Sequence, residues 1–91
     1  MSDAIHKYPL QVTDEQMVSL PAGCRLLCVQ VQHGCPCVWA WVDPQEERRV
    51  NVRFVTIGTG NPIPANIPVR YLGTYQLHDG ELVFHLFCDF E

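Results

Sequence analysis

The sequence predicts an all-β protein, either a small antiparallel β-sandwich or a partly open barrel of about seven short strands. Seven prolines and six glycines divide the chain into short segments, and apolar and polar residues alternate within them. A period of two is typical of strands, and no segment shows the 3.6-residue period of an amphipathic helix. The length of 91 residues suits one domain, so we expect residues 1–91 to form a single domain.

The first β-hairpin is predicted in the middle of the chain, where Cys24–Gln32 folds onto Cys35–Asp43 about the tight turn His33-Gly34. Pro36 lies early in the second strand, which predicts an edge or a bulge there. The predicted pairs on one face are Val31 with Pro36, Val29 with Val38, Leu27 with Ala40 and Arg25 with Val42. On the other face they are Gln30 with Cys37, Cys28 with Trp39, Leu26 with Trp41 and Cys24 with Asp43.

The second hairpin is predicted to fold the strand Val69–Leu77 back about Asp79-Gly80. One face pairs Leu77 with Leu82, Tyr75 with Phe84, Gly73 with Leu86, Tyr71 with Cys88 and Val69 with Phe90. The opposite face pairs His78 with Glu81, Gln76 with Val83, Thr74 with His85, Leu72 with Phe87 and Arg70 with Asp89.

Three further strands complete the prediction. Arg49–Ile57 places Val50, Val52 and Phe54 on one face, which we expect to be buried. Residues 8–12 alternate as a short strand, Met17–Leu20 forms another, and His6 is expected in a frayed terminus. Residues 44–47 form the most polar loop, with room for one helical turn.

Composition excludes several classes of protein. The net charge is −4 and the six basic residues are scattered, so we expect no direct nucleic-acid binding. No apolar run approaches the ~20 residues of a membrane span, and Met1–Lys7 lacks the apolar core of a signal peptide, which predicts a cytoplasmic protein without membrane contact. A chain this short buries enough surface for one core but has little stability to spare, so a homo-oligomer is expected.

Five cysteines, an odd number, favour free thiols over disulfides. Cys24, Cys28, Cys35 and Cys37 resemble a zinc set only in number, since Cys24 and Cys28 lie about 13 Å apart along a strand. We therefore expect no metal and no cofactor, and small apolar packing roles for the thiols.

The loop Gly58–Pro64 is the strongest candidate for recognition, because glycine lets a ligand approach the backbone while the prolines restrict the loop. The alternative is a structural corner between two sheets. The predicted ligand-binding residues are Gly58, Thr59, Gly60, Asn61, Arg70, Tyr71, Thr74 and His85. Glycine N–H groups, an arginine and an aromatic ring together suit an anionic ligand that carries a ring.

No catalytic residue is expected. His85 faces Thr74, but the sequence places no nucleophile or carboxylate beside it, and Asp89 lies about 13 Å along the strand. A hydrogen-bonded or ligand-contacting role for His85 is favoured, and a small hydrolase is the least favoured class.

Trp39 and Trp41 share one face of the first hairpin. Burial in the core is one interpretation. The other is an interface with a partner protein or a second copy, because aromatic residues concentrate binding energy at interfaces.

Several motifs together resemble a family of small phage and prophage proteins of unknown function. They are Lys7-Tyr8-Pro9-Leu10, Leu20-Pro21-Ala22-Gly23, Val29-Gln30-Val31-Gln32, Trp39-Ala40 followed by Val42-Asp43, Gly58-Thr59-Gly60 followed by Pro62-Ile63-Pro64, and Tyr71-Leu72-Gly73-Thr74. The chain departs from that family at Asn61, where histidine is usual, and in its cysteines. The resemblance implies a phage-borne accessory protein and no established activity.

The resulting expectation is a non-enzymatic phage accessory protein that counteracts a bacterial defence by binding. Its partner is either a small nucleotide-like signal at Gly58–Asn61 or a host defence protein at the tryptophan face. The alternative is a virion or assembly component whose function is its oligomer.

Overall fold

The computed structural model describes residues 2–90, so Met1 and Glu91, the ends of the predicted domain, lie outside the described residues. Within that range the strands are β1 (Ala4–Pro9), β2 (Glu15–Pro21), β3 (Arg25–Gln32), β4 (Cys35–Val42), β5 (Arg49–Gly58), β6 (Arg70–Leu77) and β7 (Leu82–Phe90). They form an antiparallel three-stranded sheet in the order β1-β4-β3 and an antiparallel four-stranded sheet in the order β2-β5-β7-β6. The predicted all-β class is confirmed, and the two separate sheets make the fold sandwich-like rather than a closed barrel.

The core lies between the two sheets and takes alternate residues from the central strands. Its largest fully buried side chains include Phe54, Leu20 and Leu86, all on the four-stranded sheet, and Val38 and Val42 on β4. The inward face predicted for the strand around Phe54 is therefore confirmed. Cysteines fill small spaces, as expected: burial raises the pKa of the Cys24, Cys37 and Cys88 thiols.

The first hairpin has the predicted turn and most of the predicted register. His33 and Gly34 both have positive φ, 53° and 75°, as a type I′ turn requires. The predicted pairs from Val31 with Pro36 to Cys28 with Trp39 are confirmed. Leu27 then forms a β-bulge, so the pairings predicted for the four residues before Cys28 are wrong. Because the bulge adds one residue to β3, Leu26 lies opposite Ala40 and Arg25 opposite Trp41.

The second hairpin repeats this behaviour. The pairs from Leu77 with Leu82 to Gly73 with Leu86 are confirmed, and a bulge at Leu72 then shifts the register by one. Tyr71 therefore lies opposite Phe87 and Arg70 opposite Cys88. The predicted pairs Tyr71 with Cys88, Leu72 with Phe87, Arg70 with Asp89 and Val69 with Phe90 are wrong. Neighbouring residues of a strand point to opposite faces. The bulge therefore places Tyr71 on the face predicted for Arg70, and Arg70 on the face predicted for Tyr71.

The N-terminal prediction also needs correction. β1 begins at Ala4, and His6 pairs with Ala40 inside it rather than fraying. β1 ends at Pro9, so Leu10 follows the strand, with its N–H donating to the Pro36 carbonyl at 2.8 Å. β4 is the central strand of its sheet, but its pairing with β1 stops at Cys37. The edge predicted at Pro36 is therefore present at that end of β4 and not along the whole strand. Residues 44–47 form a turn without helix.

The two sheets approach closely where β3 meets β6. A Cβ atom placed on Gly73 would lie 2.9 Å from Cγ1 of Val29, so only glycine fits without displacing that side chain. The Arg70 Nη2 donates to the carbonyl of Leu26 at 2.8 Å and joins the same two strands. Among residues 2–90, no helix is long and apolar enough to cross a membrane.

Candidate functional site

Residues 59–69, between β5 and β6, form a loop beside the outer face of the four-stranded sheet, the face turned away from the core. The loop begins with a turn in which Asn61 N–H donates to the Gly58 carbonyl at 3.0 Å. Further along, the Asn66 carbonyl accepts a hydrogen bond of 3.2 Å from Arg53 on β5. The loop is thus attached to the sheet at both places and leaves a depression on each side.

The depression on the side of β6 and β7, here called the His85 depression, has a volume of about 400 Å³. It is lined by Ile57, Gly58, Thr59, Gly60, Asn61, Ile63, Tyr71, Thr74, His85 and Phe87. Seven of the eight predicted ligand-binding residues therefore lie around one concave surface. Its size falls in the range of sites for small molecules.

A chain of hydrogen-bonded side chains crosses this depression. The His85 Nε2 lies 2.7 Å from the Thr59 hydroxyl, and its Nδ1 lies 2.9 Å from the Thr74 hydroxyl. Thr74 in turn is hydrogen-bonded to the Tyr71 hydroxyl. Both nitrogens of the imidazole therefore have partners, which holds the ring in one orientation.

The hydrogen bonds of Thr59, at one end of this series of side chains, favour one tautomer of His85. The Thr59 hydroxyl donates to the Val83 carbonyl at 3.2 Å, so its oxygen accepts a hydrogen bond from the Nε2–H of His85. Nδ1 then accepts from Thr74. In this arrangement each hydroxyl keeps a lone pair for a ligand.

The rest of the depression is apolar and aromatic. The rings of Tyr71 and Phe87 lie 5.4 Å apart between centroids. Tyr71 is 53% exposed and Ile63, on the loop, is 65% exposed. A flat apolar ligand would therefore find uncovered side chains on which to pack.

Arg70 is the predicted residue that does not reach this site. The bulge at Leu72 turns it away from Thr74 and His85, and its guanidinium bonds to the Leu26 carbonyl. Among residues 2–90, no Lys, Arg, Asp or Glu lines the depression. The arginine expected to hold an anion is therefore missing from the site.

Thr74 was predicted to face His85, and the structure adds Thr59 as a second side chain that contacts the ring nitrogens. Thr59 does so because it directly follows β5, whose pairing of Gly58 with Phe84 on β7 continues where the Thr59 N–H donates to the Val83 carbonyl at 3.1 Å. No spacing in the sequence indicates this contact, since Thr59 and His85 are 26 residues apart.

Comparison with known proteins assigns the family. A model described as a domain of unknown function, DUF7352, matches residues 1–91. The chain belongs to the DUF7352 family. No curated protein and no solved structure matched it.

The DUF7352 domain has a second depression, of about 360 Å³, on the other side of the loop. It was not predicted, and two of the charged residues that line it, Glu15 and Arg53, are paired with each other. Arg53 lies 2.7 Å from Glu15 and 3.7 Å from Asp89, and the bond to Glu15 raises the pKa of Arg53. The guanidinium also holds the loop through Asn66, so this arginine has a structural role.

The tryptophans lie on the outer face of the three-stranded sheet. Trp41 is 44% exposed, with Ile5 and Arg25 opposite it on the neighbouring strands. The Arg25 guanidinium lies 4.8 Å from the centre of the Trp41 ring, and the indole N–H donates to Asp3 at 2.8 Å. Trp39 is half-buried. Of the two interpretations, complete burial in the core is wrong for both tryptophans.

No metal site is evident in residues 2–90, where no three His, Cys, Asp or Glu side chains lie in a suitable group.

Proposed function

We propose that this protein is a non-enzymatic binding protein that holds a small ligand in the His85 depression. The observation that carries the proposal is the hydrogen-bonded chain of Tyr71, Thr74, His85 and Thr59 beside an exposed aromatic surface. Oriented polar groups in an apolar concavity are the usual composition of a small-molecule site.

The proposed setting is the cytoplasm of a bacterium infected by a phage, where the protein would sequester a nucleotide-like signal of a host defence. This part of the proposal rests on the resemblance of the sequence to small phage proteins, which is carried by motifs such as Gly58-Thr59-Gly60. Binding without turnover would be sufficient for that role, because sequestration lowers the free concentration of a signal.

Native mass spectrometry of protein purified from a bacterial host tests the binding function. We expect excess mass of about a few hundred daltons per subunit, the size of a ligand that fills such a site. His85→Ala should reduce the retained fraction, since it removes the centre of the hydrogen-bonded chain.

Met17→Ala is the matched control, because Met17 is 48% exposed and outside the depression. Equal retention by the two variants would place the ligand elsewhere. A clean mass for the wild-type protein, together with no uptake from a bacterial metabolite extract, would contradict the proposal.

A second candidate function is binding of a host defence protein, or of further copies of the chain, at the tryptophan face. Exposure of Trp41 beside Ile5, at 60%, and Leu27, at 42%, supports it. A virion or assembly role would use the same surface through oligomerisation.

Trp41→Ala should then weaken the complex or oligomer by about tenfold or more, as expected at an aromatic hot spot. Light scattering and pull-down with infected-cell extract measure this. Val12→Ala, at a residue that is 50% exposed and distant in sequence, is the control. An unchanged oligomer with unchanged partners would exclude this face.

A further inference from the structure

We infer that the His85 depression recognises the uncharged heteroaromatic ring of its ligand, a nucleobase, and leaves any anionic group outside. The inference rests on the proposed binding function. It changes the expected order of affinities: the ring, rather than a phosphate, should supply most of the binding energy.

The charges around the site support this inference. Phosphate and carboxylate sites usually present arginine or lysine, and no residue of either type within the described part of the chain lines this depression. Arg70 is engaged at the Leu26 carbonyl. His85 is the remaining group that can carry a positive charge, and hydroxyls already occupy both of its nitrogens. An anion would therefore have to displace an existing hydrogen bond.

The aromatic surface fits a flat ring. Tyr71 and Phe87 are neighbours across β6 and β7, and Tyr71 leaves half of its surface uncovered at the rim. Stacking of a planar ring on such a side chain depends on π-faces and apolar contact, which every nucleobase offers.

The polar groups fit the edge of such a ring. The hydroxyls of Thr59, Thr74 and Tyr71 supply acceptors, and the side-chain amide of Asn61 supplies donors and an acceptor. Gly60 also lines the depression, and within residues 2–90 its backbone N–H has no backbone acceptor outside the strands. Nucleobase edges carry donors and acceptors side by side, as this set requires.

Isothermal titration calorimetry tests the inference with adenosine, guanosine, cytidine and uridine, their 5′-monophosphates, and inorganic phosphate. We expect at least one nucleoside to bind, with its monophosphate within about threefold in Kd. Inorganic phosphate should give no heat, and raising the salt from about 0.05 M to about 0.5 M should leave the nucleoside Kd unchanged.

Tyr71→Ala should weaken nucleoside binding by about tenfold or more, whereas Tyr71→Phe, which keeps the ring, should lose about threefold or less. Met17→Ala, which truncates an exposed side chain outside the depression, is the matched control and should bind as the wild type does. Circular dichroism verifies that each variant is folded.

Two results would overturn the inference. One is binding of the monophosphates without binding of any nucleoside, or with a steep salt dependence, which would assign recognition to the phosphate. The other is no heat from the whole panel, which would exclude nucleobases. Neither removes the proposed binding function, because a retained mass that depends on His85 is measured independently of this panel.

Discussion

Phe54→Ala is expected to lower the free energy of unfolding by about 3–5 kcal/mol, the usual loss when a buried phenylalanine is truncated in a core. Phe54 is 1% exposed and lies on β5, which pairs with β2 on one side and β7 on the other. Its ring therefore packs where the four-stranded sheet covers the core. For a chain of this length the total is about 5–14 kcal/mol, so the loss is a large part of it.

Urea unfolding followed by tryptophan fluorescence measures this loss. Met17→Ala is the control on the neighbouring strand, since Met17 pairs with Arg53 and is 48% exposed. The control should change the free energy of unfolding by about 0.5 kcal/mol or less. A loss below about 1 kcal/mol for Phe54→Ala would mean that the core is not centred on this residue.

Gly73→Val is expected to cost about 1–3 kcal/mol, because the added side chain overpacks the contact between β3 and β6. A Cβ atom at position 73 would already lie 2.9 Å from Val29 Cγ1. Combining the change with Val29→Ala should recover part of the loss, since alanine removes the atom that collides.

A double-mutant cycle in urea measures the coupling between the two positions, which we expect to be about 0.5–3 kcal/mol. The control pairs Gly73→Val with Val12→Ala, whose effects should simply add. Additive losses for Gly73→Val and Val29→Ala would show that the two sheets do not touch there. The arrangement of β3 over β6 would then be wrong.

Local pattern was sufficient to predict most of the fold. Alternating apolar residues, turn residues such as His33-Gly34 and opposed apolar pairs predicted both hairpins correctly as far as Cys28 and Gly73. Beyond these residues the register failed, because bulges at Leu27 and Leu72 add a residue to one strand. Nothing in the alternation marks a bulge, since an extra leucine fits either face.

The candidate site shows the same division. A loop rich in glycine and proline indicated Gly58–Asn61, and the hairpin register placed Thr74 opposite His85, as observed. The sequence also assigned Arg70 to this group. That assignment required a register without the bulge at Leu72. With the bulge, the Arg70 side chain reaches the other sheet and donates to the Leu26 carbonyl.

The sequence by itself determined the strand pattern, the turns and the loop, because each depends on residues that are close along the chain. Only the tertiary structure decided which side chains meet in the His85 depression. The contact between Thr59 and His85 requires the pairing of β5 with β7, over a separation of 26 residues. Such a contact depends on which distant strands become neighbours in a sheet and in what register, and local sequence does not encode that choice.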